Sequence, residues 1–355
     1  MKNPEVKIVG AGLIGTSLGL ALARQSIVAT LEDQSKANLR LAVEYGAGVE
    51  NGPEPDLVIV CVPPDLTADL VIEQLKKHPR AIVTDVASVK SKVSQGVEKA
   101  LPEQAHRYIG SHPMAGREKG GPAAARADLF FARPWIVSPS ANSTQVSVDL
   151  IRDVALRLGA LPVELSPTEH DQTVALVSHL PQLVASLLAN RLNLGTAEQL
   201  GLAGQGLRDT SRIAASDPEL WVQIISQNSD SIAPLLVKLQ DDLAQLTQAV
   251  SEIEQPGSLA KIHGLLQGGN SGVTRIPGKH GGKSTNYQVV TVVIEDAPGA
   301  LASLLTFIGE IGVNLEDLNL EHSPGAPIGL VELQVVPEVA TKLSEQLVTN
   351  GWRLV

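Results

Sequence analysis

The sequence predicts an α/β protein built from three successive parts. Strand and helix patterns alternate as far as residue 165, helix patterns alone follow to residue 267, and a new alternation starts after residue 284. A chain of 355 residues is long enough for two or three hydrophobic cores. We therefore assign domains to residues 1–165, 166–267 and 285–355, and a linker rich in glycine and polar residues to 268–284.

Composition argues against several classes of protein. Hydrophobic residues make up 43% of the chain and charged residues 19%, and the net charge is −10. This negative charge argues against nucleic acid or a membrane surface as a partner. Cys61 lies in an apolar strand pattern and is expected to be a buried, reduced thiol. The sequence has no signal-peptide pattern and no apolar run near ~20 residues, so we expect a cytoplasmic protein without a membrane span.

The first motif is a glycine loop between a strand and a helix. The strand pattern Val6–Val9 leads directly into Gly10-Ala11-Gly12-Leu13-Ile14-Gly15, and a helix pattern continues to Arg24. The first glycine permits a tight turn, the second admits a pyrophosphate, and the third lets the helix pack against the strand. The sequence thus predicts a Rossmann-type, doubly wound domain. Its expected cofactor contacts are Gly10, Gly12, Leu13, Ile14 and Gly15.

Two further segments are expected to contact the same dinucleotide. The second strand pattern ends in Glu32-Asp33, which places a carboxylate where it can bind the hydroxyls of an adenosine ribose. Because a carboxylate there repels a 2′-phosphate, we expect NAD rather than NADP. Either Glu32 or Asp33 can make this contact. The strand pattern Asp56–Val62 runs into Pro63, so Val62 and Pro63 are expected beside the cofactor.

His112 is the candidate catalytic residue. The strand pattern at Tyr108-Ile109 places it at the C-terminal edge of the sheet, where ligands bind, and Pro113 favours an extended backbone. The alternative is an ordinary hydrogen-bonded loop histidine. Ser88 follows the preceding strand pattern and has two compatible roles open to it. It can cap a helix that begins near Val89, or it can bind His112 or the nicotinamide.

The helical middle carries two clusters of polar residues. Its first helix pattern runs through His179-Leu180-Pro181, and the proline predicts a kink beside His179. His179 either faces a cleft or is a packing histidine. The second cluster holds Arg208, Asp209 and Arg212. An arginine there either binds a carboxylate or pairs with Asp209 at the surface.

Apolar residues recur at heptad spacing near the end of the helical part. This spacing is typical of a coiled-coil-like seam, which we interpret as helix packing across a dimer interface. The seam consists of Ile232, Leu236, Leu239, Leu243, Leu246, Val250 and Ile253. After the linker, the tail follows the βαββαβ order of a ferredoxin-like unit. We expect no metal site in the protein.

Five motifs, in this order, resemble those of the prephenate dehydrogenases and the similar arogenate dehydrogenases of tyrosine biosynthesis. They are GxGLIGxSL (Gly10–Leu18), DVxSVK (Asp85–Lys90), GSHPMAGRE (Gly110–Glu118), SHLP (Ser178–Pro181) and RDTSRIA (Arg208–Ala214). The tail, with Asp296-Ala297-Pro298-Gly299-Ala300-Leu301, resembles an ACT domain, a module that often binds amino acids. The resemblance covers nearly the whole chain.

The resemblance implies an NAD-dependent oxidoreductase that oxidatively decarboxylates prephenate to 4-hydroxyphenylpyruvate. It implies that His112 accepts the hydroxyl proton, that Ser88 orients His112, and that Arg212 binds a substrate carboxylate. Other residues of the implied substrate pocket are His179, Asp209, Trp221, Arg117 and Arg208. The heptad seam indicates a homodimer. The ACT-like tail either binds an amino-acid effector, with tyrosine as the candidate, or serves only in assembly.

Three other functions stay open on the sequence. Arogenate carries an ammonium where prephenate carries a keto group, and the positive charge of Arg117 favours prephenate. Gln205 stands where the family often has glycine, and Arg117 where many members have a smaller polar residue. A regulator that senses NAD and an amino acid without catalysis is disfavoured by the intact catalytic set. A β-hydroxyacid dehydrogenase normally has a catalytic lysine on its interdomain helix, and no lysine lies between Ser166 and Ser231.

Overall fold

The computed structural model describes residues 3–116, 119–277, 287–322 and 327–355. These residues form two compact units, each drawn from two segments of the sequence. The first unit consists of Met1–Leu194 and Thr210–Lys238, and the second of Gly195–Asp209 and Leu239–Val355. Arg117 and part of the predicted linker lie outside the described residues.

Strands and helices are numbered in chain order. The strands are β1 (Val6–Val9), β2 (Thr30–Glu32), β3 (Leu57–Val60), β4 (Ile82–Asp85), β5 (Tyr108–Pro113), β6 (Pro134–Ser138), β7 (Leu161–Glu164), β8 (Gln288–Glu295), β9 (Asp317–His322), β10 (Ile328–Val335) and β11 (Arg353–Leu354). The helices are α1 (Leu13–Arg24), α2 (Lys36–Glu44), α3 (Pro64–Lys77), α4 (Ser91–Ala100), α5 (Gln145–Arg157), α6 (Pro167–Val174), α7 (Leu180–Arg191), α8 (Ala197–Leu200), α9 (Gln205–Ser211), α10 (Pro218–Gln227), α11 (Ser229–Ser251), α12 (Ser258–Val273), α13 (Ala300–Glu310) and α14 (Pro337–Thr349).

The first unit is built around a seven-stranded sheet with the order β2-β1-β3-β4-β5-β6-β7. Strands β1 to β5 are parallel to one another, β6 is antiparallel to β5, and β7 is parallel to β6. Every residue of β1 and β3 is buried, and the unit contains two separate hydrophobic cores. This is the arrangement of a parallel sheet covered on both faces, so the predicted Rossmann-type fold is confirmed.

Helix α2 is an element that the sequence analysis missed. Ala42 is buried and Leu39 and Val43 pack against the same core, so its apolar residues have helical spacing, but within a segment of only nine residues. A second signal is its cap, because the Ser35 side chain accepts a hydrogen bond from the Asn38 N–H. The strand before it, β2, ends at Glu32, which places Glu32 and Asp33 at the C-terminal edge of the sheet.

The helical stretch from α6 to α7 begins with a capping box. Ser166 and Glu169 satisfy each other's backbone N–H groups at its start. The predicted kink takes the form of a π-helical turn over Ala175–His179, which precedes Pro181 in the first turn of α7. The wider turn accommodates the proline, which cannot donate the usual backbone hydrogen bond.

The combined helical stretch Pro167–Leu194 is 28 residues long and apolar enough to cross a membrane by length and composition. The sequence alone predicts no such segment, because it contains no uninterrupted apolar run near ~20 residues; the stretch becomes apparent only from the length of the continuous helix. The same stretch holds His170 and Asp171, which are buried and hydrogen-bonded to each other inside the first unit. A buried polar pair of this kind is also typical of a core helix in a globular domain.

The tail of the second unit has the predicted ferredoxin-like topology. Its sheet has the order β11-β8-β10-β9, every neighbouring pair is antiparallel, and α13 and α14 contribute Leu304, Ile308, Leu343 and Leu347 to its core. Helix α12 continues to Val273, so the helical part extends beyond the predicted boundary at residue 267. In the heptad seam, Ile232 is buried, whereas Leu243 and Val250 are more than half exposed.

Candidate functional site

The glycine loop between β1 and α1 has the geometry that its motif predicts. Gly10 has a φ of +102°, and a Cβ at this position would collide with the carbonyl oxygen of Cys61. A Cβ on Gly15 would collide with the carbonyl oxygen of Gly10, so this glycine lets α1 approach β1. A Cβ at Gly12 would have no atom within 4 Å, so the space beside it is open. Gly12 is the N-cap residue of α1 and has no side chain with which to cap the helix. The first turn of α1 therefore offers its N–H groups to a phosphate.

A cavity of about 500 Å³ extends from this loop to the end of β2. Glu32 and Asp33 both line it, but their carboxylates have different partners. Glu32 Oε2 lies 2.7 Å from Lys7 Nζ and 3.3 Å from Lys77 Nζ. Burial acts to raise the pKa of Glu32, but the two lysines outweigh it and the pKa is lowered. Asp33 accepts 2.6 Å hydrogen bonds from the N–H groups of Ala11 and Ser35.

A second cavity, of about 620 Å³, adjoins the first. The two share lining residues and together form one continuous trough along the C-terminal edge of the sheet. The shared residues are Gly12, Cys61, Val62, Pro63 and Gly121. The volumes of its two parts are of the size that ligand sites usually have, which suits a dinucleotide with a small substrate beside it. Besides these shared residues, the predicted site residues that line the second cavity are Leu13, Ile14, Ser88, His112 and Trp221.

His112 lies in β5 on the wall of the second cavity, at the sheet edge where the sequence places it. Its Nδ1 is 2.9 Å from Nε2 of His170, and Nδ1 of His170 is 2.8 Å from Oδ1 of Asp171. The two imidazole rings meet edge to face at 5.1 Å. The three side chains thus form a hydrogen-bonded chain from α6 to the cavity. The sequence alone predicts no role for His170 or Asp171.

Asp171 also caps helix α4. Its Oδ1 accepts a 2.8 Å hydrogen bond from the Lys90 N–H, and its Oδ2 accepts one from the Ser91 N–H. Helix α4 begins at Ser91 without a side-chain cap of its own, so the prediction that Ser88 caps it is wrong. Burial acts to raise the pKa of Asp171, but the hydrogen bonds from His170, Ser91 and Lys90 outweigh it and lower the pKa. The carboxylate is therefore ionised at neutral pH.

A buried cluster lies next to this chain. Lys90 Nζ is paired with Asp85 Oδ1, and the Tyr108 hydroxyl donates a 2.6 Å hydrogen bond to Asp85 Oδ2. All three side chains are buried. Burial lowers the pKa of His112 well below the usual histidine value, and it is lowered further by repulsion from His170, Lys90 and His179 whenever those groups are protonated. Within the described residues, no group of His, Cys, Asp and Glu side chains is arranged to hold a metal ion.

His179 is 1% exposed and packs inside the first unit. Its Nδ1 lies 3.2 Å from Nδ2 of Asn228, and its ring meets that of Trp221 edge to face at 5.9 Å. Burial lowers the pKa of His179 to about 4. Trp221 lines the cavity, whereas His179 is not part of the lining found among the described residues. The placement of His179 matches the packing interpretation more closely than the cleft interpretation.

The predicted arginine cluster is exposed. Arg212 lies on a short helical turn, beside Ile213, which lines the cavity. Arg208 and Asp209 lie in α9, where Asp209 Oδ1 accepts a 2.7 Å hydrogen bond from Gln205 Nε2. These three charged side chains are not part of the cavity lining found among the described residues. Arg117 lies outside the described residues.

Two family models match the chain and agree with this architecture. The nucleotide-binding domain of prephenate dehydrogenase matches residues 18–164, and the dimerisation domain of prephenate dehydrogenase matches residues 166–264. The boundary between the two models falls where the sequence analysis placed it, at the start of α6. The glycine loop lies just upstream of the first match, so its assignment rests on the geometry described above.

Known proteins similar to this chain carry related names. A probable prephenate dehydrogenase of Streptomyces niveus is 33% identical over 97% of this chain and 98% of its own length. A cyclohexadienyl dehydrogenase of Zymomonas mobilis is 31% identical over 70% of this chain and 88% of its own. The crystal structure of arogenate dehydrogenase from Synechocystis is 29% identical, with a TM-score of 0.62 over 76% of this chain and 98% of that one. The chain belongs to the prephenate dehydrogenase family.

Proposed function

We propose that the protein catalyses the NAD-dependent oxidative decarboxylation of prephenate to 4-hydroxyphenylpyruvate, with His112 as the proton acceptor. The observation that carries this proposal is the position of His112. It lies on the wall of a cavity that continues into the glycine loop, so a substrate beside His112 adjoins the nicotinamide end of a dinucleotide bound along the trough. Membership in the prephenate dehydrogenase family supports the same reaction.

The trough fits NAD in two respects. Gly12 leaves open the space that a pyrophosphate needs, and the first turn of α1 supplies N–H donors to it. Glu32 and Asp33 supply carboxylates at the ribose end. When bound, NAD⁺ would supply the hydride acceptor for oxidation of the substrate carbon that bears the hydroxyl group. Val62 and Pro63 line both cavities and would lie beside the cofactor.

His112 is suited to accept the hydroxyl proton as the hydride leaves. Its depressed pKa keeps the imidazole neutral at neutral pH, and a neutral ring has a nitrogen lone pair with which to take a proton. Loss of CO₂ from the ring then completes an aromatic product.

Ser88 lies on the same cavity wall, where its hydroxyl can bind the substrate or the nicotinamide. Arg212 remains our candidate for the substrate carboxylate, with Asp209 and Arg208 close to it in sequence.

Arogenate is a second candidate substrate, and two observations favour it. Asp217 lines the cavity, and a carboxylate there suits the ammonium of arogenate better than the keto group of prephenate. Its Oδ1 also accepts a 3.0 Å hydrogen bond from the Glu219 N–H at the start of α10. The similarity to an arogenate dehydrogenase structure points the same way. Both substrates share the ring on which His112 acts.

We also propose that the protein is a homodimer with a regulatory tail. The match to a dimerisation domain supports the dimer, as do the exposed apolar residues Leu187 and Leu243.

The βαββαβ tail resembles an ACT domain, and tyrosine, the end product of tyrosine biosynthesis, is the effector that we propose for it. The loop Asp296–Gly299 has a carboxylate and backbone N–H groups that suit a free amino acid.

A substrate matrix tests the proposed function. Prephenate and arogenate are each mixed with the wild-type protein and NAD⁺ or NADP⁺, and reduced nicotinamide is followed by absorbance. We expect turnover with prephenate and NAD⁺. Asp217→Asn should reduce kcat/KM for arogenate more than for prephenate. If neither substrate reduces either cofactor, the proposed function is wrong and a sensing role becomes the better interpretation.

A further inference from the structure

The two hydrogen bonds that link His112 to His170 and His170 to Asp171 are both donated toward Asp171. We propose that this arrangement fixes the tautomer of His112. His170 and Asp171 act as positioning residues that keep the His112 proton on Nδ1 and leave Nε2 as the nitrogen that faces substrate. The inference rests on the proposed function in one respect, namely that the nitrogen facing substrate is the proton acceptor. The hydrogen bonds themselves do not depend on the identity of the substrate.

The direction follows from Asp171. Its carboxylate is ionised and accepts hydrogen bonds from the N–H groups of Lys90 and Ser91, so it has no proton to donate to His170. Nδ1 of His170 must therefore be the donor in the 2.8 Å contact with Asp171 Oδ1. In a neutral ring this leaves Nε2 of His170 without a proton, as an acceptor. The 2.9 Å contact with His112 is then donated by Nδ1 of His112.

Both rings need to be neutral for this assignment, and their surroundings favour the neutral form. His170 is completely buried and His112 is partly buried, and burial lowers the pKa of each ring. The charged or titratable groups that act on the two rings are Lys90, His179, Asp85 and Asp171. Lys90 acts to lower both pKa values, while Asp171 and Asp85 act to raise that of His170. Burial dominates for both rings.

The arrangement also suits the step in which His112 gains a proton. Nε2 accepts the proton of the substrate hydroxyl group, so the ring becomes a cation while Nδ1 keeps its own proton. That Nδ1–H already points at the lone pair of His170, whose other nitrogen donates to the Asp171 carboxylate. The new positive charge is thus stabilised without any change of partner, as in other catalytic histidines held by a buried carboxylate.

The Asp171 carboxylate is held rigidly because it is hydrogen-bonded to the start of α4 as well as to His170. It lies in α6, and both of its oxygens are bound by backbone N–H groups at the start of α4. Rotation of the carboxylate away from His170 would leave those N–H groups without their cap. The orientation of His112 therefore depends on the packing of α6 against α4, two elements outside the cavity.

Nitrogen NMR of the protein labelled with ¹⁵N-histidine tests the tautomer directly, without substrate or cofactor. The signals of His112 are identified by their loss in His112→Asn. We expect wild-type His112 to have a protonated Nδ1 and an unprotonated Nε2 at neutral pH. In His170→Leu we expect a mixture of tautomers. His78→Leu is the matched control, because His78 is also buried but contacts Lys7 and Glu54 instead, so it should leave the His112 signals unchanged.

Kinetics of two His170 variants separate positioning from folding. The amide of His170→Gln can donate to Asp171 and accept from His112, whereas His170→Leu can do neither. We expect kcat/KM to fall by at least ~10-fold in His170→Leu and to recover substantially in His170→Gln, with cofactor Kd unchanged in both. Circular dichroism and the cofactor Kd show whether each variant is folded.

Two results would overturn the inference. One is a wild-type His112 protonated on Nε2. The other is a folded His170→Leu variant whose His112 tautomer matches that of the wild type. Failure of the proposed function gives a different result, because a protein that turns over neither prephenate nor arogenate can still have His112 in the expected tautomer. The two ideas are therefore tested separately.

Discussion

At the scale of single residues, the pKa of His112 determines how activity should depend on pH. The base must be neutral, and its pKa is lowered first by burial and second by the neighbouring basic groups. A lowered pKa means that the ring stays neutral as the pH falls through ~6.5, the ordinary histidine value. We therefore expect the acid limb of kcat/KM to lie below pH ~6.5 in a pH–rate profile. An acid limb above that value would contradict the assignment of His112 as a desolvated base.

Arg212 gives a second prediction at this scale. If it binds the substrate carboxylate, Arg212→Ala should raise KM for substrate strongly and leave the Kd of NAD⁺ unchanged. Loss of a buried arginine–carboxylate pair costs ~2–5 kcal/mol, and the exposure of Arg212 in the free protein predicts the lower end of that range. Arg152→Ala is the matched control, because Arg152 forms ion pairs with Asp149 and Glu164 in another region. An unchanged substrate KM would shift the assignment to Arg208.

The sequence could identify His112 but not the residues that hold it. His112 is marked by local features, a strand pattern and a following proline. His170 is 58 positions away, and only the tertiary fold brings its ring to within 2.9 Å of His112. A polar His-Asp pair at the start of a helix was visible in the sequence, yet nothing local distinguishes it from a surface pair. Pairings that depend on packing between distant elements are invisible to sequence patterns.

At the scale of elements, the end of β2 and the glycine loop together determine cofactor choice. The charge of Glu32 is offset by Lys7 and Lys77, whereas Asp33 is bound by one backbone N–H of the glycine loop, that of Ala11, and by the N–H of Ser35. Asp33 is therefore expected to provide more of the repulsion against a 2′-phosphate.

We predict that Asp33→Asn reduces the preference for NAD⁺ over NADP⁺ by about 10-fold, and that Glu32→Gln reduces it by less. Cofactor Kd values from quenching of tryptophan fluorescence measure this preference without turnover. The Asn variant keeps only one of the two oxygens that accept from the Ala11 and Ser35 N–H groups, so circular dichroism is the control that shows whether it is folded. A larger effect from Glu32→Gln than from Asp33→Asn would show that Glu32 is the residue that contacts the adenosine ribose.

Strongly patterned elements were the most predictable. Helix α1 has the predicted bounds, because glycine punctuation and an arginine in its last turn mark both ends. Helix α2, with its single buried residue, was missed, and the end of α12 was placed too early because its glycines resemble a linker. The cap of α4 could not be predicted, since it comes from Asp171 in another helix and not from the neighbouring Ser88.

At the scale of the whole molecule, the tail should be separable from catalysis. The βαββαβ tail has its own hydrophobic core, and the proposed active-site residues lie before residue 239. A chain that ends after Pro277 is expected to keep its turnover and its dimeric state, which solution mass measurements report, and to lose inhibition by tyrosine. Equal sensitivity of the full and shortened chains to tyrosine would contradict a regulatory tail and would place the inhibitor at the active site.

The central claim, that His112 accepts the substrate proton, is tested most directly by the turnover number of His112→Asn. With prephenate and NAD⁺ at saturation, we predict a fall in kcat of ~10²–10⁴-fold, the usual contribution of a general base. The Kd of NAD⁺ should match that of the wild type, since the asparagine leaves the glycine loop and the ribose carboxylates intact. A folded His112→Asn variant that turns over at the wild-type rate would contradict the claim.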